Sequence, residues 1–366
     1  NIFINCSAGY SGGGIFIYCH DTHKGQTKRE VSQEITIADC NFTECRSLVE
    51  GGAISSGKQE DPNDPDTISG DGDMIILRCT FNKCESGKGG ALYFQDGTSD
   101  GDEDTEISNC HFFGCYATED PHEGYSIYCR SYQVNLHDCD FQDHLARGKE
   151  PNNCIVYIHT NEPEVQPVIK ELTFENNNGV SSLIVKSGAK IITIEKLHFH
   201  NNRDGTPVLN FNRWEAKDAV VVTKCDFKDI INSRCIYMSE PPKNKGLSIS
   251  VTESTFDNIK ADDTREMEFL GSGSSIFCRN NANIVVRQCN FTNNEASANG
   301  GAIYGETESI NINNCRFINC SAGIDSEGQG GGIYLEQDST SAYEWSMGNI
   351  FINCSAGYSG GGIFIY

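Results

Sequence analysis

Residues Ile284 to Glu306 read IVVRQCNFTNNEASANGGAIYGE, and this stretch decides the fold. Ile284-Val285-Val286 is a short apolar run. Cys289-Asn290-Phe291 sets one Phe beside polar neighbours. A polar turn follows, and Gly300-Gly301-Ala302-Ile303 opens a third run. Successive side chains of an extended chain point to opposite faces, so Ile303 and Gly305 face one way and Tyr304 and Glu306 the other. Apolar residues recur at period two over four to six residues, bounded by Gly, Asn and Asp, which excludes a helix and predicts three short strands.

The pattern repeats along the chain. One Phe per turn sets the register: Phe3, Phe42, Phe81, Phe112, Phe141, Phe174, Phe199, Phe227, Phe256, Phe291, Phe317 and Phe351. The spacing varies between 25 and 39 residues. A constant core with variable insertions marks a solenoid rather than a propeller or a sandwich. First strands read Ile35-Thr36-Ile37, Ile75-Ile76-Leu77 and Ile310-Asn311-Ile312. Third strands begin at Gly51-Gly52-Ala53-Ile54, Gly89-Gly90-Ala91-Leu92 and Gly331-Gly332-Ile333-Tyr334. Each strand pairs in parallel with its equivalent one turn later, and the crossover rule makes the winding right-handed. The expected fold is all-β: a right-handed parallel β-helix of about eleven to twelve three-strand coils, continuous over 1–366 and uncapped at both ends.

Asn1 to Tyr18 reads NIFINCSAGYSGGGIFIY, and Asn349 to Tyr366 reads the same, residue for residue. The offset is 348 residues. Other coils agree only in pattern, so this identity implies a second-order repeat: a unit over 1–348, with the next copy beginning at 349–366. A duplicated terminal coil that lets separate subunits stack head to tail is the weaker account. Both are architectural, because an uncapped β-helix presents edges that invite extension.

The formal net charge is −23, from 51 acidic and 28 basic residues. That balance disfavours nucleic acid and anionic membranes as partners. No apolar run is long enough for a transmembrane helix. The 18 cysteines and the Asn-x-Ser/Thr sequons at Asn5, Asn41, Asn290, Asn319 and Asn353 point to an extracellular or cell-surface glycoprotein carrying N-linked glycans. Cys-x4-Cys brackets the Phe at Cys40/Cys45, Cys79/Cys84, Cys110/Cys115 and Cys315/Cys320. Cys139, Cys225 and Cys289 hold the first position alone, and Cys6 the second, repeated at Cys354. Stacked equivalents lie within disulfide reach, so bridges within or between coils compete with a buried ladder of reduced thiols. Cys19, His20 and His23 form a lone cluster without the second ligand pair that a zinc site needs.

Two acidic segments follow consecutive coils: Asp61, Asp64, Asp66, Asp71 and Asp73, then Asp96, Asp100, Asp102, Glu103 and Asp104. Side by side they would suit calcium; alone they are a solvated acidic surface. No cofactor is required by the reading. An outward aromatic recurs after the Gly pair, at Phe16, Tyr93, Tyr128, Tyr237, Phe277, Tyr304 and Tyr334. These form either an exposed stripe for sugars or a neighbouring filament, or a column that stacks on itself.

Gly-Gly-Ala-Ile/Leu at Gly51 to Ile54, Gly89 to Leu92 and Gly300 to Ile303 occurs with Phe-x-x-Asn at Phe174 to Asn177, Phe199 to Asn202 and Phe291 to Asn294. Together these resemble the polymorphic outer-membrane protein repeats, within the wider pectin-lyase-like β-helix group. The resemblance spans most of the chain and fades between about Asp120 and Arg279, where the Gly pairs are missing. It implies surface display and adhesion.

Many pectin-lyase-like β-helices cleave acidic polysaccharides, which makes an enzyme the rival reading. The galacturonase-type Asn-Thr-Asp, Gly-His-Gly and Arg-Ile-Lys motifs are absent. The nearest cluster is His137 and His144 flanking Asp138, Asp140 and Asp143. A strongly acidic protein also repels an acidic polymer. The expected function is therefore a non-catalytic structural glycoprotein that extends into filaments with further copies of itself, the alternative being an adhesin or carbohydrate-binding surface.

Overall fold

The computed structural model describes residues 1–17, 34–57, 73–95, 104–119, 124–146, 153–160, 165–203, 207–211, 219–238, 248–261, 271–279, 283–306, 309–323, 327–336, 342–345 and 348–366. The elements they form are β-strands paired in parallel, and the fold is a right-handed β-helix solenoid. The chain divides into two compact units, one over Asn1–Leu172 and Ser182–Ala189, the other over Thr173–Ser181 and Lys190–Tyr366.

In the first unit, the coils centred on Phe3, Phe42, Phe81, Phe112 and Phe141 stack in register, Phe on Phe. Their rings lie 4.6 to 5.1 Å apart and within 10° of parallel. That separation is the strand spacing itself, so the column follows from identical side chains in an in-register parallel sheet. The second unit has its own column, from Phe174 through Phe199, Phe227, Phe256, Phe291 and Phe317 to Phe351, with centroids 4.7 to 5.3 Å apart. Ile284 and Val286 stack on Ile310 and Ile312, and Ile303 on Ile333, completing the three-sided core. A two-residue strand, such as Glu295–Ala296, adds a short fourth edge in four coils of each unit.

The corners have a rule of their own. Two residues after the Phe, the backbone is left-handed in all twelve coils, for example at Asn5, Glu44, Lys83, Asn293 and Asn353. Three residues before it the same holds in eleven, including Asp39, Arg78, Lys224 and Gln288. Each Phe strand is thus bracketed by two sharp bends. Side chains at these bends pair along the stack: Arg78 donates to both carboxylate oxygens of Asp39 at 2.8 Å, and Asn258 Nδ2 to Asp229 Oδ1 at 2.6 Å. The Gly pair serves the third corner. Gly300 is left-handed at φ +67°, and a Cβ on Gly301 would sit 2.0 Å from the carbonyl oxygen of Gly331 in the next coil.

Candidate functional site

The position three residues after the Phe faces the interior, and where it is Asn or Cys it shares one task. Where it is Asn, its amide donates to the Phe carbonyl of a preceding coil: Asn202 to Phe174 at 3.0 Å, Asn294 to Phe256 at 3.2 Å. Where it is Cys, the thiol points at the same acceptor: Cys45 to Phe3 at 3.7 Å, Cys84 to Phe42 at 3.8 Å, Cys115 to Phe81 at 3.6 Å, Cys320 to Phe291 at 3.6 Å, Cys354 to Phe317 at 3.5 Å. Phe-x-x-Asn and Phe-x-x-Cys are one motif, a donor that satisfies a buried carbonyl. The position two before the Phe behaves likewise. Cys79, Cys110, Cys139, Cys289 and Cys315 direct Sγ at a carbonyl one coil back, at 3.5 to 3.7 Å. Asn349 fills that slot with its amide 2.7 Å from the Ile312 carbonyl.

All seventeen described cysteines are free thiols. Cys40, Cys45, Cys79, Cys84, Cys110, Cys115, Cys315 and Cys320 are buried, and no disulfide joins them in this structure. Cys139 and Cys289 are buried free thiols too, and Cys6 and Cys354 are half-buried ones. Within a coil, Cys110 Sγ points at the Ser108 and Ile76 carbonyls while Cys115 Sγ points at the Phe113 and Phe81 carbonyls, so the two sulfurs serve different acceptors at opposite ends of one Phe strand. Cys19 lies outside the described residues, with His20 and His23. Burial pushes the Cys225 thiol up to about 12. Burial alone raises Cys235 and Cys278 as well.

The duplicated sequence folds the same way in both places. Strands run over Ile2–Ile4, Ser7–Ala8 and Ile15–Ile17 in one copy, and over Ile350–Ile352, Ser355–Ala356 and Ile363–Ile365 in the other. The two copies use opposite faces. In the first, Ile2-Phe3-Ile4 pairs with Asn41-Phe42-Thr43, and Ile15-Phe16-Ile17 with Ile54-Ser55-Ser56. In the second, Ile350-Phe351-Ile352 pairs with Arg316-Phe317-Ile318, and Ile363-Phe364-Ile365 with Ile333-Tyr334-Leu335. One 18-residue sequence therefore has demonstrated partners on both sides. Ile2, Ile4, Tyr10, Ile350, Tyr358 and Tyr366 are exposed. A Cβ on Gly13 would meet the Gly52 carbonyl oxygen at 2.3 Å. The same position in the other copy, Gly361, meets nothing nearer than the Cys354 carbonyl oxygen at 3.0 Å.

The five sequon asparagines, Asn5, Asn41, Asn290, Asn319 and Asn353, are all exposed. The outward aromatics stack on one another instead of forming a bare stripe. Tyr93, Tyr128 and Tyr157 make one column in the first unit; Tyr237, Phe277, Tyr304, Tyr334 and Phe364 make one in the second. Lys88 lies over Tyr128, and Arg234 over both Tyr237 and Phe277. Tyr93, Tyr128, Phe277, Tyr304 and Tyr334 are buried and Tyr237 half-buried, so the exposed stripe is corrected to a covered column; Phe16 alone of the seven stays open, at 44%.

Of the acidic residues, Asp73 and Asp104 are brought together: the Asp104 amide donates to Asp73 Oδ1 at 3.1 Å. Asp61, Asp64, Asp66, Asp71, Asp96, Asp100 and Asp102 lie outside the described residues. The His137 and His144 cluster comes apart. His144 is fully buried with Nε2 2.6 Å from Ser126 Oγ, His137 Nδ1 is 2.8 Å from Asp138, and Asp140 pairs with His111 at 2.8 Å. These groups share no cleft in which an acid and a base could flank one bond.

One coil matches a known repeat. Residues 288–306 fit the family model of the Chlamydia polymorphic membrane protein repeat. The match covers the Phe291 corner and the Gly300-Gly301 pair, the two features whose geometry is described above. No curated protein and no solved structure matches the chain.

Proposed function

We propose that this chain is a non-catalytic structural segment of an extracellular or cell-surface β-helix that extends end to end with further copies of itself. The observation that carries this is the coil present twice. As Asn1–Ile17 it binds a coil of the 41–56 type, and at 349–366 it binds a coil of the 316–335 type. A copy joined through this coil pairs on both faces, with every partner already seen once. The exposed sequons support N-glycosylation of the surface. Reduced thiols acting as donors inside the stack explain the cysteines without requiring disulfides, and calcium at the acidic segments stays a proposal resting on Asp73 and Asp104.

The test is cryo-electron microscopy and light scattering of the purified chain as a concentration series. Twelve coils per chain at one strand spacing give an axial repeat of about 58 Å for chains stacked end to end. Gly361→Ala is expected to fold normally and to stop elongation, since the new methyl would meet an incoming carbonyl. Particles that never exceed one chain at any concentration, with Gly361→Ala indistinguishable from the parent, would sink the extension reading.

The repeat match favours a second reading, a surface adhesin. Binding of the monomeric chain to cells or to a glycan array, unchanged by Gly361→Ala, would select it.

A further inference from the structure

Three side chains on one outward face of the second unit carry the chemistry of a metal site. Phe199 points into the core, so its neighbours His198 and His200 both project outward from the strand His198–His200. Asp226 stands directly across from His198 on the next coil. One ligand atom from each of the three lies within 4.8 Å of the other two. His200 Nε2 is 2.8 Å from Asp226 Oδ2, and the two imidazole rings are 5.9 Å apart, edge to face. Thr255 is in register with Asp226 one coil further on, and its hydroxyl donates to the other carboxylate oxygen, Oδ1. That bond leaves Oδ2 turned toward the imidazoles. Partial burial pushes the Asp226 pKa up. The hydrogen bonds from Thr255 and His200, with the imidazoles nearby, outweigh it and hold the carboxyl below its ordinary value. Glu175, in register with His200 on the preceding coil, faces the same way and is half-buried.

We propose that His198, His200 and Asp226 bind a divalent transition-metal ion of the zinc class, with water or the Glu175 carboxylate completing the coordination. Two neutral imidazoles and one carboxylate are the donor set that zinc accepts in open, three-ligand sites. Calcium and magnesium prefer all-oxygen surroundings, so the paired imidazoles select against them. On binding, the His200–Asp226 hydrogen bond gives way to two metal–ligand bonds, Nε2 turns its lone pair to the ion, and the one proton of the neutral ring sits on Nδ1. Lys228, in register with His200 on the next coil, sets a cation nearby and weakens the attraction.

Zinc chloride titrated into the intact chain under reducing conditions, followed by calorimetry, tests this, with cobalt(II) absorption as a second readout. One saturable site is expected, with cobalt bands free of thiolate charge transfer. His198→Ala, His200→Ala and Asp226→Asn should each weaken binding at least about tenfold. Thr255→Val, which frees the carboxylate without removing a ligand, should weaken it at unchanged stoichiometry, and Lys228→Gln should tighten it. Circular dichroism of each variant confirms that the fold is kept. Absence of a saturable site, a site unmoved by the three ligand substitutions, or a cobalt spectrum dominated by thiolate would overturn the proposal.

Discussion

Phe256 shows what one side chain does in this architecture. It is fully buried, with Phe227 and Phe291 stacked at 4.7 and 4.8 Å on its two faces. Phe256→Ala removes both stacking partners and leaves a cavity, so a loss of about 3–5 kcal/mol is expected in chemical denaturation. Hydrogen exchange should speed up most in the coils on either side. The buried thiols set a second expectation. For Cys225, Cys235 and Cys278 the unfolded pKa is near the ordinary 9.0, and burial raises it in the folded state, to about 12 for Cys225. An acid whose folded pKa is raised stabilises the fold fully below its unfolded value. That stability is lost as pH climbs from there toward the folded value. The melting temperature, measured with reductant present, should hold up to about pH 8 and fall above about pH 9. A melting curve unchanged to pH 11 would contradict the burial of these thiols.

The corners decide how strands become coils. An L-residue in the left-handed region is strained, and Gly relieves it. Gln288 lies at φ +54°, so Gln288→Gly is expected to raise stability by about 0.5–1 kcal/mol. Gly301→Ala should do the opposite, costing roughly 1–3 kcal/mol or more, because the methyl would meet the backbone of the next coil. Paired thermal melts of the two variants check both signs. Strand identity was legible in the sequence because period two is a direct consequence of the pleat. The register was legible because one Phe recurs per coil. The corners were less so: their left-handed positions hold Asn, Asp, Gly, Glu, Lys, Gln and Arg alike, and only the stacking shows that they are equivalent. For the same reason the Cys pattern read as a disulfide question. The shared acceptor of Cys45, Cys115 and Asn294, a buried Phe carbonyl, becomes visible only when coils are superposed. The His198, His200 and Asp226 cluster was missed because Asp226 lies 26 and 28 residues from the two histidines, on a neighbouring strand whose pairing sets it beside them.

At the scale of the molecule, charge and stacking oppose each other. A formal charge of −23 repels a second copy, whereas the exposed apolar edge of the duplicated coil attracts one. Screening shortens the repulsion to about 8 Å at physiological ionic strength and leaves the apolar term intact. Raising sodium chloride from about 0.01 M to 0.5 M should therefore lengthen assemblies in light scattering. Shortening with salt would mean that ion pairs, not strand pairing, hold the ends together. The 18-residue identity at an offset of 348 was legible directly, since it needs no structure to be seen. Which coil each copy pairs with was not, because the register emerges only from the strand pairing.

The hydrogen bonds of these sheets run from coil to coil, along the stacking direction, between parallel strands such as Phe227 on Phe256 and Ile303 on Ile333. Tension applied along that direction meets them end-on, without the sideways shear that loads a whole ladder at once. Each unit should then yield one coil at a time, releasing a loop of 25 to 39 residues per event. Such a chain would lengthen in many small steps under load instead of snapping in one.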